Sequence, residues 1–263
     1  MNAHINGITL AYTDQGQGVP LVFLHAFPLN RTMWEPQVSG LSDRYRVITL
    51  DLRGHGESDA PLWRYTLDLF ADDVKGLLDH LSIPSAVLIG LSMGGYLIFA
   101  FHRRFADRVK ALVLADTRAE ADTPEMSAWR FSLAQRVYKE GSRAVADEML
   151  PKLLSPSGSA SKPALVQQVR GMMTSMQISG IVGDLMAIAE RPDSVPRLKA
   201  IACPTLVLVG EQDVLTTPAD NERIAAAISG ARFQTIPAAG HLSNLEQPET
   251  FNRAVASFLD MSL

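Results

Sequence analysis

Ala86-Val87-Leu88-Ile89-Gly90-Leu91-Ser92-Met93-Gly94 joins an apolar, β-rich run to a G-x-S-x-G turn, and its reading decides the fold. The residues that follow, Tyr96-Leu97-Ile98-Phe99-Ala100-Phe101, have the spacing of a packed helix. A G-x-S-x-G between a buried strand and a helix is the context of a nucleophile elbow, where a serine hydroxyl stands exposed on a tight turn. Gly90 and Gly94 flank Ser92 because a β-carbon at either place would crowd that turn. The pentapeptide alone carries little, since small residues cluster in ordinary turns. At the end of a buried strand it is specific.

A serine hydroxyl is a poor nucleophile until a base takes its proton and a carboxylate orients the base. With this elbow the partners follow in the order serine, acid, histidine. Pro204-Thr205-Leu206-Val207-Leu208-Val209-Gly210 reads as a buried strand and runs into Glu211-Gln212-Asp213. Phe233-Gln234-Thr235-Ile236 reads as another, followed by Pro237-Ala238-Ala239-Gly240-His241. Asp213 and His241 thus sit just past the carboxyl ends of strands, where α/β sheets gather their sites. His102 falls inside the helix after the elbow, where a solvated surface role fits better. The expected triad is Ser92, Asp213 and His241. Asp116, at the end of Ala111-Leu112-Val113-Leu114, competes as the acid, and its plainer reading is a turn or helix-entry residue.

An acyl-transfer site also needs an oxyanion hole. One donor is the backbone N–H after the nucleophile, here Met93; the other comes from the loop after an earlier strand. Pro20-Leu21-Val22-Phe23-Leu24 is that strand and His25-Ala26-Phe27-Pro28-Leu29 that loop, which makes the Phe27 N–H the second donor and His25 a structural brace.

On these residues the chain resembles α/β-hydrolase fold enzymes, and the resemblance covers almost its whole length. Asp51-Leu52-Arg53-Gly54-His55-Gly56-Glu57-Ser58 matches the family's D-x-R-G-x-G-x-S loop after the fourth strand, where His55 is a loop brace. Gly90-Leu91-Ser92-Met93-Gly94-Gly95, Arg191-Pro192-Asp193 and Pro204-Thr205-Leu206-Val207 look most like 3-oxoadipate enol-lactonases and small carboxylesterases. The His25–Leu29 loop is also similar to that of the non-haem haloperoxidase or perhydrolase branch. One departure is Ala26, where the family usually has glycine. The resemblance implies a mainly parallel eight-stranded sheet flanked by helices, with a helical lid after the sixth strand. Serine at the elbow separates the chain from dehalogenases and epoxide hydrolases of this fold, which the family implies use aspartate.

Strands alternating with helices agree with a parallel sheet covered on both faces. Ile8 to Thr13 reads as an edge strand beside the Asn6-Gly7 turn, and Arg46 to Leu50 as a buried one. Leu67, Phe70, Val74, Leu77, Leu78 and Leu81 recur at helical spacing. Thr217-Pro218-Ala219-Asp220 reads as a capped helix start, and a last helix begins near Pro248. The alternation breaks between Arg118 and Pro196, a helical stretch in which Ser155-Pro156-Ser157-Gly158-Ser159 reads as a flexible loop. The division expected is a core of 1–117 with 197–263 and a lid of 118–196.

The lid holds Met126, Trp129, Met172, Met173 and Met176, singly core residues but together the wall of an apolar, adaptable pocket. It also holds Arg118, Arg130, Arg136 and Arg143. Of these Arg118 and Arg130 are the candidates to meet a substrate carboxylate. Trp129, Met126, Arg118, Arg130 and Met176 are therefore the expected substrate-binding residues.

At 263 residues, with 47% hydrophobic and 20% charged, the chain can bury one large core. A net charge of −4 with no basic stripe argues against a nucleic-acid partner. No cluster has zinc-ligand spacing, and no cofactor is expected. The single cysteine, Cys203, forms no internal disulfide and reads as a small buried hydrophobe. No run approaches the roughly 20 apolar residues of a membrane span, and the N-terminus does not resemble a signal peptide, so a cytoplasmic location is expected. The function expected is hydrolysis of small carboxylic esters or lactones through an acyl-enzyme. The alternatives are perhydrolysis, carbon–carbon bond hydrolysis, and a binding module on a hydrolase scaffold.

Overall fold

Runs such as Val87–Leu91 and Ala111–Ala115 are apolar at every position, the signature of strands covered on both faces. The computed structural model describes residues 1–263 and forms these runs into one sheet of eight strands. In chain order they are β1 (Asn2–Ile5), β2 (Ile8–Gln15), β3 (Pro20–Leu24), β4 (Arg46–Leu50), β5 (Ala86–Leu91), β6 (Val109–Ala115), β7 (Thr205–Gly210) and β8 (Arg232–Ile236). Their order across the sheet is β1-β2-β4-β3-β5-β6-β7-β8, antiparallel at β1–β2 and β2–β4 and parallel from β4 onward.

Eleven α-helices accompany the sheet: α1 (Glu35–Leu41), α2 (Leu67–His80), α3 (Met93–Phe105), α4 (Pro124–Glu140), α5 (Arg143–Leu153), α6 (Pro156–Ser161), α7 (Pro163–Thr174), α8 (Ile178–Ala189), α9 (Pro218–Ala227), α10 (Ser243–Glu246) and α11 (Pro248–Ser262). Alternate residues of each strand feed two apolar clusters. Val22, Leu24, Leu88, Leu112 and Leu114 join the cluster that includes α2, α3, α8 and α9. Leu21, Phe23, Val87, Ile89 and Val113 join that of α1 and α11. Burying apolar surface on both faces, at about 25 cal/mol per Å², holds the sheet as the rigid floor of the site.

Two expectations change. Ile8–Thr13 is not the edge: Asn6 and Gly7, with φ of 49° and 76°, form a two-residue hairpin that adds β1 outside β2. Ser155–Ser159 is not a loop. Ser155 accepts the Gly158 amide at 2.9 Å and Pro156 takes the first helical position, so this Ser-Pro is a helix start. Two expected helix starts agree with the structure. Thr217 and Asp220 form a reciprocal capping box at α9, and α11 begins at Pro248. Five helices, α4 to α8, occupy the chain between β6 and β7. Cys203 is half-buried, and burial raises its thiol pKa. No single helix is long and apolar enough to cross a membrane.

Candidate active site

Ser92 follows β5 directly and caps α3 with φ 57° and ψ −112°, a conformation that costs a non-glycine residue about 1–3 kcal/mol. The turn is tight enough to explain its glycines. A Cβ on Gly90 would lie 2.4 Å from the Gly94 backbone, and one on Gly94 would lie 2.1 Å from the Leu24 carbonyl oxygen. Ser92 N–H donates to Ala115 O at 3.0 Å, and its carbonyl accepts from Thr117 Oγ1 at 2.8 Å. The strained residue is therefore held from both sides.

Asp213 and His241 come together from the loops after β7 and β8. Asp213 Oδ2 lies 2.8 Å from His241 Nδ1 and accepts the Thr216 hydroxyl at 2.6 Å. Its Oδ1 accepts the Leu215 and Thr216 amides at 2.8 and 3.1 Å. Burial by itself raises the Asp213 pKa; His241 and the Thr216 donors outweigh it and hold the carboxyl below its ordinary value. Both side chains are nearly inaccessible, at 3% and 2% residue exposure, so the pair operates out of bulk water. Thr216 escapes sequence reasoning, its only signal being a hydroxyl three residues past the acid.

Asp116 is fully buried beside this pair but turns away from the histidine. Its Oδ1 accepts the Gly210 amide at 2.7 Å and its Oδ2 accepts the Ser243 hydroxyl. Burial, reinforced by the Asp213 charge, pushes its pKa well above the ordinary carboxylate range.

Met93 stands at the first position of α3, where a helix supplies its own N–H with no acceptor. Phe27 lies in the loop after β3, and its N–H has no acceptor in the protein. His25 braces that loop: Nε2 accepts the Leu52 amide at 3.0 Å and Nδ1 faces Ala26 O at 3.0 Å. Burial, with His55 at 4.4 Å between ring centroids, drives the His25 pKa well below its ordinary value. His55 Nε2 in turn lies 2.8 Å from Asp184 Oδ2 on α8.

Ser92, His241, Phe27 and Met93 line one cavity of about 420 Å³, within the range of small-ligand sites. Of the expected substrate-binding residues, Trp129, Met126, Arg118 and Arg130 line it too. Met176 does not. It is 5% exposed, in the turn between α7 and α8, and belongs to the core cluster with Ile181 and Leu185. Arg136 pairs with Glu148 at 3.2 Å on the surface, and Arg143 is exposed. Arg130 is clamped by Asp122, whereas Arg118 donates to Leu215 O at 2.6 Å and keeps 29% side-chain exposure. Tyr96, Met149, Lys152 and Ile188, with Val214, Leu215 and Thr216 from the loop after β7, complete the wall, and no motif marks them. A second cavity of about 280 Å³ lies beyond Tyr96 and Arg118, which line both, and contains none of Ser92, Asp213 and His241.

Residues 19–248 match the family model described as alpha/beta hydrolase fold. The chain is 33% identical to 3-oxoadipate enol-lactonase 2 of Acinetobacter baylyi, covering 96% of this chain and 93% of that protein. Among solved structures it is similar to a thermophilic esterase from Thermogutta terrifontis with malate bound. The identity there is 42% and the TM-score 0.97, over 100% of this chain and 98% of that one. It is also similar to the enol-lactonase from Burkholderia xenovorans LB400, at 34% identity and a TM-score of 0.93, over 99% and 100% of the two chains.

Proposed function

The chain belongs to the α/β-hydrolase fold family, and from that premise we propose that it hydrolyses small carboxylic esters or lactones through an acyl-enzyme on Ser92. His241 takes the Ser92 proton as the hydroxyl attacks the carbonyl carbon, and Asp213 orients the imidazole and stabilises its cation. The negative charge that develops on the carbonyl oxygen is met by the N–H groups of Phe27 and Met93. His241 then gives its proton to the leaving alcohol or enol oxygen. Water attacks the acyl-enzyme with His241 again as base, which releases the acid and restores Ser92. Residues 118–196 act as the cap over this site. Trp129 and Met126 supply an apolar wall, and Arg118 and Arg130 supply positive charge.

One observation carries the reading: the Asp213–His241 contact of 2.8 Å opens into the same cavity as a serine held at φ 57°. The enol-lactonase and esterase relatives support the substrate class. The test is turnover of nitrophenyl acetate and of an enol-lactone, with labelling by a fluorophosphonate followed by peptide mapping. Label on Ser92 together with loss of both activities is the expected result. Label elsewhere, or turnover that survives it, would overturn the reading.

A further inference from the structure

Glu246 is 1% exposed, yet no arginine or lysine pairs with its carboxylate. Its oxygens accept instead from the Ser155 amide at 3.1 and 3.0 Å, the Ser155 hydroxyl at 2.6 Å and the Gly240 amide at 2.6 Å. The Lys162 ammonium donates to the Glu246 backbone carbonyl, not to its side chain. An unpaired carboxylate is costly to bury unless donors surround it, so this one is retained by a dedicated set of them.

Those donors come from two places. Gly240 immediately precedes His241, and on its other side Leu242 N–H donates to Leu153 O at 3.0 Å. Leu153 and Ser155 form the joint between α5 and α6, inside the insertion between β6 and β7. The chain on both sides of His241 is thus bonded to that joint, and Glu246 is the side chain that spans it. The seat has no slack: a Cβ on Gly240 would lie 2.5 Å from Ser155 N, and one on Gly158 would lie 1.8 Å from Glu246 Oε1. Glu246 does not line the cavity, so it acts on the chemistry only through these bonds.

We propose that Glu246 is a positioning residue for His241, whose carboxylate fastens the histidine loop to the α5–α6 joint so that the imidazole's place follows the seating of the insertion. The inference rests on His241 being the base. A glutamine at 246 keeps the shape but turns an NH₂ group toward donors that need an acceptor.

The experiment compares wild type, Glu246→Gln, Ser155→Ala and the double variant. It reads kcat and KM on nitrophenyl acetate, the rate of fluorophosphonate labelling of Ser92, and thermal melting. Displacing a catalytic group by about 1 Å costs on the order of 100-fold. Glu246→Gln is therefore expected to lower kcat and labelling at least about tenfold, with KM within about twofold. Ser155→Ala lowers kcat about threefold and adds nothing to Glu246→Gln, because it acts through the same carboxylate. A Glu246→Gln enzyme that melts lower but keeps its kcat has lost only a structural contact, and the proposal fails. Losses that multiply in the double variant overturn it too. Should Glu246→Gln not fold, Ser155→Ala decides: unchanged kcat refutes the coupling, and lowered kcat at constant KM upholds it. Ser92→Ala or His241→Ala that remains active would instead sink the triad reading itself.

Discussion

Asp116 and Asp213 both leave neighbouring parallel strands at their carboxyl ends, but only Asp213 reaches His241, with Oδ2 2.8 Å from Nδ1. Asp116 spends both oxygens on the Gly210 amide and the Ser243 hydroxyl. Asp213→Asn removes the charge that fixes the imidazole tautomer and is expected to lower kcat by on the order of 10⁴. Asp116→Asn can still accept from Gly210 and donate to Ser243, so kcat should stay within about tenfold of wild type. Steady-state kinetics on both folded variants check the assignment, and a more damaged Asp116 variant reverses it.

Replacing the nucleophile separates strain from chemistry. Ser92→Ala and Ser92→Gly should each lose on the order of 10⁶ in kcat. Glycine adopts the φ of 57° without the Cβ penalty, so Ser92→Gly should be more stable than Ser92→Ala by about 1 kcal/mol. That corresponds to a melting point about 2–4 °C higher. Equal melting temperatures would mean that the elbow stores no backbone strain.

Arg118 and Arg130 face the same cavity but differ in attachment. Arg130 is 9% exposed and paired with Asp122, itself buried, so Arg130→Met should chiefly destabilise the fold. Arg118 is freer, and Arg118→Met should raise KM for a carboxylate-bearing lactone while sparing neutral nitrophenyl acetate. Equal losses on the two substrates would mark Arg118 as structural and the enzyme as a general short-chain esterase.

His55 and Asp184 join the loop after β4 to α8 as a fully buried pair, 2.8 Å apart but off line for a good hydrogen bond. Burial lowers the His55 pKa, but the Asp184 charge outweighs it and leaves the value above the ordinary 6.5. Burial raises Asp184 as well. A histidine with a raised folded pKa contributes stability that is whole below about pH 6.5 and is lost as pH rises through the folded value. Melting temperature should therefore fall on the alkaline side of neutrality in wild type, and this loss should be absent in Asp184→Asn. Parallel pH dependences in the two proteins would contradict the pairing.

The turn at Ser92 and the meeting of Asp213 with His241 are legible because each residue follows a strand whose apolar run is unmistakable, and chain order pairs them. The place of Phe27 in the loop after β3 is legible for the same reason. What escaped depends on packing between distant segments. Nothing local marks Met176 as core rather than pocket wall, since methionine suits both and α8 alone decides. Glu246 and Ser155 lie 91 residues apart, so no spacing rule joins them. The Asn6-Gly7 turn is visible in the sequence but β1 is not, because Asn2–Ile5 is too short to show alternation. The small residues of Ser155–Ser159 suit a flexible loop as well as a helix, and only the cap at Ser155 with Pro156 behind it decides for the helix.

Strands β6 and β7 are direct neighbours, with Leu112 opposite Thr205 and Ala115 opposite Leu208, although the whole α4–α8 insertion lies between them in the chain. The insertion closes on itself at its base, where Ser194 N–H donates to Ala119 O at 2.9 Å. Its length can change at small entropic cost, about 0.6 kcal/mol per doubling for a flexible closure. A transplanted segment of different size could enter and leave through the same doorway without shifting the register of any strand. A replacement would still need to offer donors to the buried Glu246 carboxylate, as Ser155 does here.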